Sequence, residues 1–315
     1  MADNPSRVPQ LGTGQIEVQS FAGSSSISTL RSTYPLKLVS PPCKPTHRAA
    51  LAFTMSYGGG LVAGDSVDLT VTVRPKARLG LLTQGSTKVY KTKSSCKDSM
   101  HSRQSLTASV EDGAALLLLP DPVQPFRNSA YDQRQVFALA AEANLFVLDW
   151  VCAGRAARGE EWEFSEYTSR NEVWDVQDCA GSVKAKKKKL RLRDNLVLKE
   201  ALSPSASFSS NFRDEMDGLG VFGSVIMRGP LFRGLGDFFL AKYEQHPRIG
   251  LRRQGEDLCP STSIKLWTAA SIRGCVMVKF GARDVDSARR WLREMLVSEG
   301  TVEREFGPKA LLCLQ

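Results

Sequence analysis

Short apolar stretches separated by turn residues fill the first two hundred positions of the chain. IEVQSF, YPLKLVS, AALAFTMSY, SVDLTVTVRP, RLGLLTQG, SLTASVEDG and AALLLLP follow one another closely. Several alternate with a period of two. In SVDLTVTV, Val67, Leu69, Val71 and Val73 fall on one face and Asp68, Thr70 and Thr72 on the other, as a half-buried strand requires. Gly, Pro, Asn or Asp stand at the joints, as at Arg74 with Pro75 and Asp112 with Gly113. Repeated strands with little helical period predict a mainly β architecture of sandwich, barrel or solenoid type. The stretch QVFALAAEANLFVL, 135–148, reads as a hairpin turning around 142–144.

One helix stands out near the C-terminus. Asp284 can cap DVDSARRWLREMLVSEG, where Val285, Ala288, Leu292, Met295 and Leu296 form an apolar stripe. Arg289, Arg290 and Arg293 lie largely outside that stripe, and Gly300 stands where a positive φ commonly closes a helix. The segments 91–104 and 182–193 are polar and read as surface loop insertions. The whole of 1–315 reads as one domain, with 1–14 expected to be flexible.

Composition narrows the class. A chain of 315 residues that is 42% apolar can bury a sizeable core. No run of about 18 apolar residues is present, so a membrane span is not expected. The first residues lack the apolar core of a secretory signal. The seven cysteines are scattered singly, which fits reduced thiols in a cytoplasmic protein. The net charge of +9 raises the question of a nucleic-acid partner, but SVKAKKKKLRLR, 182–193, holds seven of the basic residues and no acid. The rest of the chain is close to balanced, and the run reads as a solvated segment.

Catalytic chemistry finds little support. His47, His101 and His246 are the only histidines, and none stands in a GxSxG or HExxH context. The Cys43/His47 and Cys96/His101 pairs have no partner pair, and no CxxC occurs, so no tight metal site is predicted. GLGVFG, 218–223, matches a dinucleotide-binding spacing with Glu244 at the ribose distance, but a strand follows it where a helix is needed. GGLVAGDS, 59–66, approaches a phosphate-binding loop, with Asp65 in place of the lysine, and a carboxylate there repels phosphate.

Two Gly-rich acidic motifs remain. GGGLVAGD carries Gly58, Gly59, Gly60, Gly64 and Asp65, and GRAARGE carries Gly154, Arg155, Gly159 and Glu160. Taken alone, each reads as a turn between strands, Asp65 serving as a turn cap and Arg155 with Glu160 as a surface pair. Together with YPLKLVSP, LLTQGSTKVYK, LLPDPVQPFRNSAYDQ, FVLDWVCAGRAARGEEWEF and SRNEV, they closely resemble the UreD (UreH) family of urease accessory proteins. The likeness runs in order over roughly 15–300 and is weaker in 91–104, in the basic run and after Ser203.

That resemblance implies an elongated, helicoid-like β body with few helices. It implies a non-catalytic maturation factor that acts with UreF- and UreG-type partners on apo-urease, without nucleic acid or membrane. No cofactor would be bound tightly, and Ni²⁺ would pass in transit through an internal tunnel. Asp65 and Glu160 fall on the family's motif acids and become candidates for its polar stations. Sparse carboxylates suit such a path, since they offset lost hydration yet release the ion. Two other classes stay open from the residues alone. One is a carboxylate-based β-rich hydrolase using Asp121, Asp149 or Glu160. The other is a polyanion-binding module built on 184–193.

Overall fold

The computed structural model describes residues 10–42, 48–91, 101–178, 186–199, 212–245 and 264–315. Its organisation follows from parallel pairing, because parallel neighbours cannot be joined by a tight hairpin. The chain opens with an antiparallel pair, β1 (Thr13–Phe21) and β2 (Ser24–Ser32), followed by β3 (Leu36–Val39). It then winds alternately through two sheets. β4 (Ala50–Ser56) lies in the second sheet, and the chain passes through the two-residue β5 (Gly60–Leu61) to β6 (Ser66–Val73) in the first. β7 (Arg78–Thr83) and β8 (Thr87–Val89) lead in the same way to β9 (Ser102–Val110). β10 (Ala115–Leu119) and β11 (Val123–Pro125) lead to β12 (Ala130–Leu139), and β13 (Asn144–Cys152) leads to β14 (Glu166–Asp178).

The outcome is two mixed sheets. β1, β6, β9, β12 and β14 run parallel in the first, with β2 and β15 (Lys186–Lys199) antiparallel at its edges. In the second, β4, β7, β10 and β13 run parallel. It is extended by antiparallel β16 (Val221–Arg228), β18 (Cys275–Ala282) and β17 (Ile264–Ile272). The mainly β expectation holds. The 135–148 segment is corrected, however: β12 and β13 are both strands, but they belong to different sheets and do not pair. Their connection is an arch, because Phe137 and Leu139 face the core from the first sheet while Leu145 and Val147 face it from the second.

Two cores result. One fills the space between the sheets, where Ile16, Leu69, Leu79, Leu116 and Val147 meet. The other lies between the second sheet and the C-terminal helices, where Phe146, Trp150, Phe280, Trp291 and Phe306 pack. β13 is covered on both sides, and all nine of its residues are buried, the pattern of a parallel central strand. β6 shows the strict alternation read from its sequence, because its outer face meets solvent.

The helices are α1 (Phe212–Glu215), α2 (Arg233–Glu244), α3 (Val285–Glu299) and α4 (Thr301–Phe306). Asp284 caps α3 by accepting from Ser287 N at 2.7 Å, and Gly300 closes it at φ +84°. Its buried stripe also includes Trp291. Arg289 reaches inward to Asp121 at 2.6 Å, tying α3 to the end of β10. Among the described residues, no helix is long and apolar enough to cross a membrane.

The loop reading of the polar inserts also changes. Of 182–193, the part from Lys186 onward forms the first half of β15, an edge strand on which Lys187, Lys188 and Lys189 are exposed. Edge lysines discourage pairing with another chain. Of 91–104, Ser102, Arg103 and Gln104 lie in β9, and 92–100 fall outside the described residues, as do 1–9. Leu117→Ala, at a fully buried site in β10, should lower unfolding free energy by about 3 kcal/mol. Thr107→Ala, on the solvent face of β9, should change it by less than about 0.5 kcal/mol. Urea denaturation of both variants checks the assignment of faces.

Candidate functional site

All the passages from the second sheet to the first leave at the same end of the molecule. They are 57–65, 84–101 (92–100 lying outside the described residues), 120–129 and 153–165. The returns, 74–77, 111–114 and 140–143, are short. Three of the long passages are stitched by a miniature parallel ladder in which β5 pairs β8, β8 pairs β11, and β11 pairs β13. The motifs singled out in sequence are these passages.

In the first passage, three successive glycines answer to two different needs. Gly58 and Gly59 both have φ +75°, with open space where a side chain would stand. Gly60 is extended, and a Cβ there would lie 2.5 Å from Lys88 O and 2.7 Å from the Tyr90 ring. The first two supply backbone conformation, and the third supplies clearance for the ladder. Asp65 closes the following turn. Its backbone N–H donates to Val62 O at 3.0 Å, and its carboxylate accepts from Val62 N at 2.9 Å.

In the fourth passage, Gly154 has φ +119°, and a Cβ there would sit 3.0 Å from Pro125 O. Glu160 is 7% exposed. It accepts from Arg155 Nε at 2.8 Å, is ion-paired to the same guanidinium, and accepts from Arg127 N at 3.4 Å. Arg155 in turn lies over the Phe126 ring, 4.2 Å from its centroid. The hydrogen bond from Arg155 holds the Glu160 carboxyl below its ordinary pKa against the opposing effect of burial. Asp65 and Glu160 are thus on the first and last passages of one end, with the miniature ladder between them, and they share no bonding partner.

Beneath this end, between the sheets, is a cavity of about 140 Å³. Leu36, Leu69 and Leu118 line its apolar side, and Gln104, Gln133 and Asp149 its polar side. Asp149, on β13, is 8% exposed and reaches across to the first sheet. Its carboxylate accepts from Gln133 Nε2 at 3.0 Å, Ser169 Oγ at 2.6 Å and Asn171 Nδ2 at 2.6 Å. Burial pushes its pKa above the ordinary value, opposed by those hydrogen bonds and assisted by the charge of Asp194. Tyr131 OH lies 3.1 Å from Gln133 Oε1, and its ring stacks on Tyr167. Two buried amide oxygens, Gln135 Oε1 and Asn171 Oδ1, have no hydrogen-bond partner within the protein. Oxygen and amide groups therefore crowd one wall of an interior that is otherwise apolar.

The alternative acids behave differently from one another. Asp121 also borders the cavity, but it is held by Arg289, Thr83 Oγ1 and Gly85 N. Asp121 and Glu160 are each neutralised by an arginine, a poor arrangement for an acid/base pair. Among the described residues, no three His, Cys, Asp or Glu side chains gather into a metal-sized cluster. His101 meets Glu166 at 3.2 Å, and His47 and His246 fall outside the described residues.

The sequence profile described as UreD urease accessory protein matches residues 11–308. The chain belongs to the UreD family. Urease accessory protein 4 of Cryptococcus neoformans var. grubii is 32% identical, covering 94% of this chain and 93% of that protein. Urease accessory protein D of Oryza sativa subsp. japonica is 33% identical over 78% of this chain and 73% of its own length. UreD of Anaeromyxobacter sp. is 41% identical over 51% of this chain and 52% of its own. Membership fits the placement of the family-like motifs at one end of the two-sheet body.

From the residues alone, Asp149 is no more than a conceivable hydrolase acid. The available signal was its position, since it is the one charged residue in NLFVLDWVC. Gln133 and Gln135 gave a second signal, alternating between Tyr131 and Phe137 on an inward face. The raised pKa of Asp149 has a measurable consequence. An unfolded aspartate loses its proton near pH 3.9, before the native group does. The native state thus holds more protons in the window above that pH, and stability falls as pH rises through it to the native pKa. Asp149→Asn lacks this dependence. Wild-type stability minus that of Asp149→Asn should therefore decline as pH rises above about 4, followed by urea unfolding; a flat difference contradicts the assignment.

Proposed function

We propose that this chain is a non-catalytic urease maturation factor of the cytoplasm. It assembles with UreF- and UreG-type partners on apo-urease and lets Ni²⁺ pass through its interior toward the urease active site. Family membership supports the urease role. The observation that carries the conduit is the buried Asp149 carboxylate, paired with no cation among the described residues, in a wall of amides and hydroxyls beside a cavity under the motif-bearing end.

The chemistry suits transit. Ni²⁺ is a strongly hydrated dication, and leaving water requires oxygen or nitrogen donors along the way. One carboxylate with nearby amide oxygens offers partial compensation. A cage of histidines and thiolates would retain the ion. The three donors already bound to Asp149 compete with an arriving cation and shorten its stay. In this reading Asp65 and Glu160 stand at the rim. Asp65 holds the first passage closed on itself, and Glu160 fixes the fourth through Arg155, so both shape the entrance, and Asp65 adds negative charge near it. The protein itself performs no turnover and keeps no cofactor.

Co-purification of the full chain with a UreF-type protein and apo-urease tests the assembly, and failure to bind either contradicts it. Asp149→Ala should leave assembly intact while lowering nickel per urease active site by about tenfold, the effect expected from losing one charged ligand worth some 1.4 kcal/mol. Asp65→Ala and Glu160→Ala should lower nickel less. If either of these abolishes assembly, that acid serves the interface or the loop fold.

A further inference from the structure

The solvent face of the first sheet holds an open cleft of about 490 Å³, formed by β9, β12, β14 and β15 at the end of the sheet next to Asp65, whose backbone oxygen accepts from Arg103 N. Parallel pairing there places Arg134 directly opposite Arg170. Like charges facing each other across strands are destabilising without a counter-charge. Arg103 lies one row away, opposite Asp132. The acids around the cleft already have partners. Asp132 accepts from Thr168 Oγ1 at 2.7 Å, and Glu166 is bound by His101 and Lys199, each at 3.2 Å. Glu172, 2% exposed, lies beneath Arg134 and Arg193. Among the described residues, the guanidinium groups of Arg103 and Arg170 make no hydrogen bond or ion pair, although Arg170 feels the nearby charge of Glu172.

We propose that this face docks an extended acidic segment of a partner protein, with carboxylates at alternate positions. The spacing argues for it. The Arg103 row and the Arg134/Arg170 row are two residues apart along the strands, about 6.7 Å. That is also the separation of alternate side chains on one face of an extended peptide. One carboxylate seats between Arg134 and Arg170, and its neighbour two positions away meets Arg103. The Asn195 amide offers a polar contact for the peptide backbone, and Val197, 62% exposed, offers a small apolar one. Nucleic acid fits less well. Asp132 and Glu166 on the same floor repel a continuous line of phosphates, whereas spaced carboxylates can avoid them.

The test uses the full chain and fluorescence anisotropy with a labelled peptide alternating Glu with Thr and Val. Controls are a peptide of equal charge with contiguous Glu and a duplex DNA. The alternating peptide should bind at least tenfold more tightly than the contiguous one, and binding should weaken with salt. Arg170→Gln, which has no ion pair to lose, should weaken binding by about tenfold. Arg134→Gln should do the same provided thermal melting shows it folded. Arg31→Gln, at the opposite edge of the sheet, should leave binding unchanged. Equal binding of both peptides, an Arg170→Gln variant that binds like wild type, or duplex DNA displacing the peptide at matched charge overturns the proposal.

Discussion

Parallel pairing governs this molecule. Once neighbouring strands run the same way, the chain cannot return by a two-residue turn and must travel through another layer. Here the other layer is a second parallel sheet, so each circuit crosses the core twice. Between the parallel strands, the passages in one direction are short and those in the other are long. Every long passage therefore emerges at one end, whatever its sequence. A set of loops far apart in the chain becomes a single structural feature, stitched by a ladder of two- and three-residue strands.

The same constraint accounts for the glycines and the buried polar wall. Passages stacked at strand spacing leave no room for a side chain at Gly60 or Gly154, and they force left-handed turns at Gly58, Gly59 and Gly159. Below them the two sheets approach with apolar faces on the side of β6 and β7. On the side of β12 to β14 they meet through Gln133, Asp149, Ser169 and Asn171. An ionised carboxylate in such a place has a high cost unless donors surround it, and three do. Ion pairs continue this polar seam, with Lys279 on Asp194 at 2.7 Å and Arg228 on Asp175 at 2.6 Å. A core assembled only for stability would not need them, since apolar replacements of buried ion pairs are often equally stable.

Much of this was legible in the chain. Period-two alternation located β6 and its faces, and the cap and closing glycine located α3, because both signals are local. Sheet membership was not. The stretch from Gln135 to Leu148 has the strands of a hairpin, and only tertiary packing decides that one joins each sheet. The basic run resembled a loop because its lysines gave no alternation, yet an edge strand tolerates them. Asp65 was read as a turn cap, and its carboxylate does bond to Val62 N. Glu160 was read as half of a surface pair and is instead largely buried under Arg155. The role of Asp149 was not legible, since one aspartate in an apolar strand takes its meaning from partners on the opposite sheet.

The central claim is that nickel reaches urease by way of this protein. The most direct measurement is nickel per urease active site after activation of purified apo-urease, with the accessory partners and nickel supplied, in the presence and absence of this chain. The account predicts that occupancy and urease activity rise together only when the chain is present. Equal occupancy without it would contradict the account.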